Sequence, residues 1–256
     1  MVRIAFFDID GTILPLGERK LSEKITYTLN ELQRNNILIC MATGRGVLMM
    51  PKFEDVSFDV HMTFNGSYCF NENDVIHKCP IPEKDVLKIL DNTKNIGRAM
   101  AISNERYEIS NGTDPDLEQY FAYANGDVRI IDDFEDRCHD DIYKIMLSCS
   151  VSEREEIIAG ADGAKIAAWW DRAVDIIPSA TGKGAAVEKI LGYYGISKDE
   201  AIAFGDGEND IEMLEAVGTG IAMDNAVDKV KAAADFVCGS VSDDGVYHYC
   251  RENNLI

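Results

Sequence analysis

Basic residues are scarce in this chain of 256 residues: 25 Lys and Arg stand against 45 Asp and Glu, a formal charge of −20. So little positive charge argues against recognition of nucleic acid or an anionic membrane, because both require a basic patch. Long apolar runs are missing too. None approaches the roughly 18 residues that span a bilayer, and the apolar start at Met1 to Phe7 is interrupted by Asp8 and Asp10 before it reaches signal-peptide length. A cytoplasmic protein is expected. The seven cysteines are an odd number, are scattered and never form Cys-x-x-Cys, which speaks against a disulfide framework or zinc knuckle and for buried small hydrophobes. The four histidines (His61, His77, His139, His248) are dispersed without ligand spacing. With 20 Gly, 6 Pro and 46% hydrophobic residues, the composition is that of a globular chain able to bury a core.

What the chain does have is rhythm. Arg3 to Phe7 reads as a buried strand, and Ser22 is placed to cap a helix with Ile25, Leu29 and Leu32 at i, i+4 and i+7. Strands at Ile37 to Met41 and Val60 to Phe64, around a short helix ending near Pro51, complete a βαβαβ pattern of parallel-sheet type. The rhythm returns with a helix from Lys183 that turns Val187, Ile190, Leu191 and Tyr194 inward. Strands then follow at Ala201 to Phe204, Gly220 to Met223 and Phe236 to Cys238, separated by helices from Asn209 and around Val227 and Val230.

Between residues 83 and 178 the texture changes. The spacing predicts an αββ unit three times: a helix with Val86, Leu87 and Leu90, then strands at Met100 to Ser103 and Tyr107 to Ile109. Next come a helix with Leu117, Tyr120, Phe121 and Ala124, and strands at Val128 to Ile131 and Ile142 to Ser148. The third unit is a helix at Ser152 to Ala159 with strands at Lys165 to Trp169 and Val174 to Ile177. The expected architecture is α/β: a doubly wound, mainly parallel Rossmann-like sheet core formed by residues 1–82 and 179–256. It carries an inserted α+β cap over 83–178.

Four motifs fall at predicted carboxyl ends of strands or at adjoining helix starts, where open α/β sheets bind ligands. Asp8-Ile-Asp10-Gly-Thr12 ends the first strand; its two carboxylates suit a nucleophile and a proton shuttle, with Gly11 allowing a sharp turn and Thr12 able to hydrogen-bond within it. A plain acidic turn has the same composition. Thr43-Gly44-Arg45 offers a hydroxyl and a freed amide for an anion, although most such turns are only turns. Lys183, between Gly182 and Gly184, places on flexible flanks an ammonium able to neutralise a phosphate or a carboxylate pair, or one simply solvated. Gly205-Asp206-Gly-Glu208-Asn209-Asp210 supplies hard oxygen ligands for Mg²⁺, or helix caps. The acids from Asp132 to Asp141 lack calcium-loop spacing and read as a solvated loop. Trp169 and Trp170 point to opposite strand faces, one for packing and one open to line a sugar-binding surface.

In this order the motifs resemble the signature of the haloacid dehalogenase-like phosphatases. Phe64-Asn-Gly66, the long insert, Gly220-Ile-Ala-Met-Asp-Asn-Ala226 and Asp244-Gly-Val246 resemble the Cof-type branch with a type IIB cap. The resemblance implies a Mg²⁺-dependent phosphatase of small phosphorylated metabolites, with sugar phosphates the expected class. In that scheme Asp8 is the nucleophile that forms an aspartyl-phosphate, and Asp10 is the general acid and base. Mg²⁺ is held by Asp8, the Asp10 carbonyl and Asp206, with Asp210 orienting its waters. Thr43, Gly44, Arg45, Lys183 and Asn209 bind phosphate or substrate, Asn209 by holding Lys183 or the phosphate edge, and Arg45 alternatively forms a surface ion pair. A sugar phosphomutase or phosphotransferase of the same superfamily, and a phospho-accepting signalling domain, are the competing readings. A monomer is the default expectation.

Overall fold

Thirteen strands and nine α-helices can be followed among the described residues, 1–123, 126–167 and 170–256, of the computed structural model. The strands are β1 (Ile4–Asp8), β2 (Leu38–Ala42), β3 (Val60–Thr63), β4 (Tyr68–Phe70), β5 (Val75–Lys78), β6 (Met100–Ser103), β7 (Glu108–Ser110), β8 (Lys144–Ser148), β9 (Ala164–Ala167), β10 (Ala173–Pro178), β11 (Ala201–Gly205), β12 (Thr219–Ala222) and β13 (Phe236–Val237). The helices are α1 (Glu23–Arg34), α2 (Glu83–Asn95), α3 (Pro115–Tyr123), α4 (Phe134–Arg137), α5 (Arg154–Ile158), α6 (Lys183–Tyr194), α7 (Ile211–Ala216), α8 (Asp228–Ala233) and α9 (Gly245–Glu252). The chain divides into two compact units. One comprises Met1–Gly44, Met50–Lys78 and Gly182–Ile256; the other comprises Cys79–Thr181 with the short segment Arg45–Met49.

The first unit is built on an eight-stranded sheet in the order β13-β12-β11-β1-β2-β3-β4-β5, parallel from β13 to β3. Side chains alternate across a strand, and here both faces are apolar. Ile4, Phe6, Cys40 and Ala203 pack with Val187, Ile190 and Leu214 on one side. Ala5, Phe7, Ile39 and Phe204 pack with Ile25, Leu29, Leu32 and Val246 on the other. The predicted Ser22 cap forms: its hydroxyl accepts from Ile25 N at 3.1 Å. Two elements were not foreseen. The antiparallel β4–β5 pair extends the sheet, its turn held by Asn71 Oδ1 accepting from Asn73 N and Asp74 N. At three and four residues, and half-exposed in β5, these strands carry too little alternation to be read locally. Helix α9 was hidden because Asp244-Gly245 reads as a turn, and Asp244 does turn the chain, at φ 52°.

The second unit has a five-stranded antiparallel sheet in the order β7-β6-β8-β10-β9. Met100, Ile102, Ile145, Leu147, Val174 and Ile176 face α2 and α5 in a continuous core. The opposite face carries Lys144, Met146 and Ser148, with α3 covering part of it through Leu117, Tyr120 and Phe121. The threefold αββ expectation needs correction. Residues 128–131 form no strand; Ile130 makes a single bridge to Ser110, because Asp127 and Asp132 flank too short an apolar run. The expected acidic loop also contains α4, with Arg137 paired to Asp133 at 2.8 Å and Lys94 to Glu135 at 2.6 Å. The predicted strand to Trp169 ends at Ala167 among the described residues. Trp169 and Ala124 lie outside them, and the Trp170 ring carries the Arg172 guanidinium at 4.2 Å.

Glu153 gives this unit an acid-sensitive tie. It receives Arg98 Nη2 at 2.8 Å and Ser150 N at 2.7 Å, and the Arg98 bond and then the Ser150 bonds pull its carboxyl down to about 2. Because the folded value lies below the unfolded one, the stabilisation is present above about pH 4.5 and fades as the pH falls toward 2. The pair is 30% and 25% exposed, so screening limits it to about 1 kcal/mol. The Glu153→Gln variant should therefore be less stable than wild type at pH 7 and converge with it near pH 2 in urea melts; a constant offset across that range would contradict the tie.

Candidate active site

Strand β1 lies between β2 and β11, all three parallel, so Asp8, Ala42 and Gly205 end at one edge of the sheet, at the point where strand order reverses direction. Asp8 is 8% exposed at the end of β1. Gly11, at φ +93°, brings the next turn so close to Asp206 that any Cβ there would collide with its carboxylate. Thr12 bonds within the turn through its backbone N, which donates to Ile9 O at 3.3 Å, while its hydroxyl donates to Asp206 Oδ1 at 2.7 Å, tying the first motif to the fourth. Asp10 is half-buried in the same turn and close enough to Asp206 to oppose its ionisation. Asn225, which local pattern did not single out for a role, donates to Gly11 O at 2.8 Å and accepts Val241 N at 2.8 Å, clamping the turn from outside.

Lys183 opens α6 but is neither solvated nor flexible. It is 1% exposed, and Nζ donates to Asp8 Oδ1 at 2.6 Å, Asp210 Oδ1 at 2.6 Å and Ala42 O at 3.1 Å. Its glycine neighbours serve close packing: a Cβ on Gly184 would stand 2.5 Å from Glu212 O. Asp210, fully buried, also accepts Asp206 N at 3.0 Å and Gly207 N at 2.9 Å through Oδ2. Both its oxygens are thus engaged in holding the lysine and the loop.

Oxygens of Asp8, Asp206 and Asp210 lie within 4.8 Å of one another. Burial, then the Asp210 carboxylate, pushes Asp8 well above the usual carboxylate range, against the pull of Lys183. Burial also raises Asp206. Burial by itself would lower the Lys183 ammonium, but Asp210 and Asp8 together hold it above its ordinary value. Burial of Asp8 and Asp206 beside a single ammonium leaves the cluster short of positive charge. A hard divalent cation fits that deficit and the all-oxygen donor set. Asp8 and Asp206 are the better-placed side-chain ligands, since Asp210 is already committed.

Other sequence-derived residues fall differently. Thr43 is 1% exposed, directly after the Ala42 carbonyl that receives Lys183. Asn209 does not hold Lys183, whose bonds go to Asp8, Asp210 and Ala42; its Nδ2 donates instead to Asn65 Oδ1 at 2.9 Å. Arg45 groups with the second unit. There it lines a cavity of about 50 Å³ with Met49, Glu108, Tyr120, Lys144 and Met146. Phe64 and Asn65, at φ 51° and 54°, adopt left-handed backbone that is sterically costly for a buried Phe, roughly 1–3 kcal/mol. Local pattern gave Asn65 no role; three successive residues needing positive φ, ending in Gly66, were the available signal.

A carboxylate cluster with one buried lysine, at the switch point of a parallel sheet, is a candidate phosphoryl-transfer centre on an α/β fold. Residues 5–250 match the haloacid dehalogenase-like hydrolase family model. The HMP-PP phosphatase of Escherichia fergusonii is 30% identical over 267 residues, covering 97% of this chain and 94% of that one. A solved phosphatase of the same superfamily from Bacteroides thetaiotaomicron superposes with a TM-score of 0.90 at 27% identity, over 100% of this chain and 96% of that one. A subclass IIB sugar phosphatase shares the fold, with a TM-score of 0.85 at 24% identity over the whole of both chains. The chain belongs to the haloacid dehalogenase-like hydrolase family, and it is an enzyme of the phosphatase kind.

Proposed function

We propose that this enzyme is a Mg²⁺-dependent phosphatase of small phosphorylated metabolites, sugar phosphates foremost, working through an aspartyl-phosphate on Asp8. The observation that carries this reading is the Asp8 carboxylate anchored through Oδ1 by a buried lysine, inside a carboxylate cluster suited to a cation. With one oxygen fixed, the other is oriented to attack phosphorus. The bond from phosphorus to the ester oxygen breaks, and Asp10 gives its proton to the departing alcohol. Asp10, now a carboxylate, takes a proton from water, whose oxygen attacks phosphorus; the bond to Asp8 breaks and orthophosphate leaves. Lys183 and the Thr43 hydroxyl would face the charge on the transferring oxygens. A Mg²⁺ held by Asp8, Asp206 and the Asp10 carbonyl would neutralise the phosphate oxygens and let a dianion approach the acidic edge.

Residues 83–178 are assigned the substrate-specificity role. Lys144 is 8% exposed and lies 3.8 Å from Asp175, which also accepts the Tyr120 hydroxyl. The donors and acceptors around the cavity that Lys144 lines suit a hydroxyl or hydroxymethyl of a polyol.

The test is turnover of p-nitrophenyl phosphate and of a panel of sugar phosphates and HMP-PP, with release of orthophosphate measured to separate hydrolysis from transfer. Chelator should lower turnover by at least about 1,000-fold, and Mg²⁺ should both restore it and raise the thermal midpoint. Full activity in chelator, or no midpoint response to Mg²⁺, would sink the metal assignment. Transfer to a second hydroxyl without orthophosphate would make the enzyme a phosphotransferase.

A further inference from the structure

We infer that Asn65 is a positioning residue that holds the Thr43 anion pocket and the Asp206–Asp210 loop in register with one another. Its place in the fold is unusual. Immediately after β3, Phe64, Asn65 and Gly66 run through left-handed backbone in succession, at φ 51°, 54° and 95°. This turn touches three of the four motif segments. Asn65 N donates to Thr43 O at 3.1 Å, and Asn65 Oδ1 accepts Asn209 Nδ2 at 2.9 Å. Gly44 lies flat against the carboxamide, where a Cβ would stand 3.1 Å from both its nitrogen and its oxygen. Gly66 lies against the residue before Lys183, where a Cβ would stand 2.6 Å from Gly182 O.

The residue type follows from these contacts. Asn is among the few side chains that accept left-handed backbone readily. Its carboxamide supplies an acceptor for Asn209 while adding no charge to an edge that already holds Asp8, Asp206 and Asp210. Aspartate would keep the size, the backbone and the bond from Asn209, but it would add a further carboxylate where a phosphate dianion must enter. Asn65 therefore acts through Thr43 and Asn209 rather than through the reacting atoms. Loosening it lets the two sides of the phosphate site drift, and displacements of about 1 Å at such sites cost on the order of 100-fold in rate.

Kinetics with p-nitrophenyl phosphate, inhibition by orthophosphate and thermal melts test this together. Asn65→Gly keeps the left-handed backbone and deletes the carboxamide; kcat should fall roughly 10- to 100-fold while the thermal midpoint stays near wild type. Asn65→Asp should leave the midpoint and kcat close to wild type but raise KM and the orthophosphate inhibition constant, roughly 10-fold each. Asn209→Ala should match Asn65→Gly, and the double variant should be no worse than either single. The inference is overturned if Asn65→Gly stays within 2-fold of wild type in kcat and KM, if its losses track only the folded fraction, or if the two single losses multiply in the double variant. Wild-type turnover in the same assay checks the phosphatase reading separately, so the two failures are distinguishable.

Discussion

Asp8→Asn should abolish turnover, with kcat for an aryl phosphate falling by at least about 10,000-fold, equivalent to roughly 5.5 kcal/mol of lost transition-state stabilisation. The carboxamide has the size of the carboxylate, and its oxygen still accepts the Lys183 bond, so local geometry is retained. What disappears is the anionic oxygen that attacks phosphorus. The fold should not suffer. Asp8 is buried beside Asp210 and Asp206, and its ionised form is disfavoured first by burial and then by Asp210. A neutral side chain relieves that repulsion, so the thermal midpoint without metal should equal or exceed that of wild type. The Mg²⁺-induced rise in midpoint should shrink, because one ligand is weakened. Turnover within 10-fold of wild type would show that another group is the nucleophile. Lost activity with a collapsed midpoint would show instead a structural role.

Lys183→Met should damage both stability and activity. The ammonium is enclosed, and its three bonds to Asp8, Asp210 and Ala42 cross the molecule to sequence separations of 175, 27 and 141. Methionine fills most of the volume but leaves two buried carboxylates facing each other without a cation. Removing one partner from a buried ionic group costs about 3–5 kcal/mol. For a chain of this size that lowers the midpoint by roughly 6–20 °C. Activity should fall by about 1,000-fold or more, since Asp8 loses its anchor and the phosphate loses a positive partner. Adding Asp210→Asn should recover part of the stability without the activity, because it removes the orphaned charge and leaves Asp8 unanchored. A midpoint within 2 °C of wild type for Lys183→Met would mean that the buried triad is not the electrostatic centre of the site.

The rhythm of the core was legible because its signals are local. Buried parallel strands such as Ile4–Asp8 and Ala201–Gly205 are short continuous apolar runs, and α1 shows its face through Ile25, Leu29 and Leu32 and its start through Ser22. Where the signal weakens, the reading fails. The β4–β5 pair is short and half-exposed, residues 128–131 have only one bridge to support them, and α9 begins behind an Asp-Gly turn.

The site divides the same way. Residue types and their order along the chain determined which acids and which lysine meet, since parallel strands must deliver Asp8, Thr43 and Asp206 to one edge. Tertiary structure alone decided what each polar atom does there. Asp210 is spent on Lys183 and the backbone of its own loop, Thr12 reaches Asp206, Asn209 turns to Asn65, and the glycines around Lys183 serve close packing. Periodicity fixes the face on which a side chain emerges. The partner it finds across more than a hundred residues is set by how sheets and helices pack, and by which buried donors and acceptors must be satisfied once water is gone.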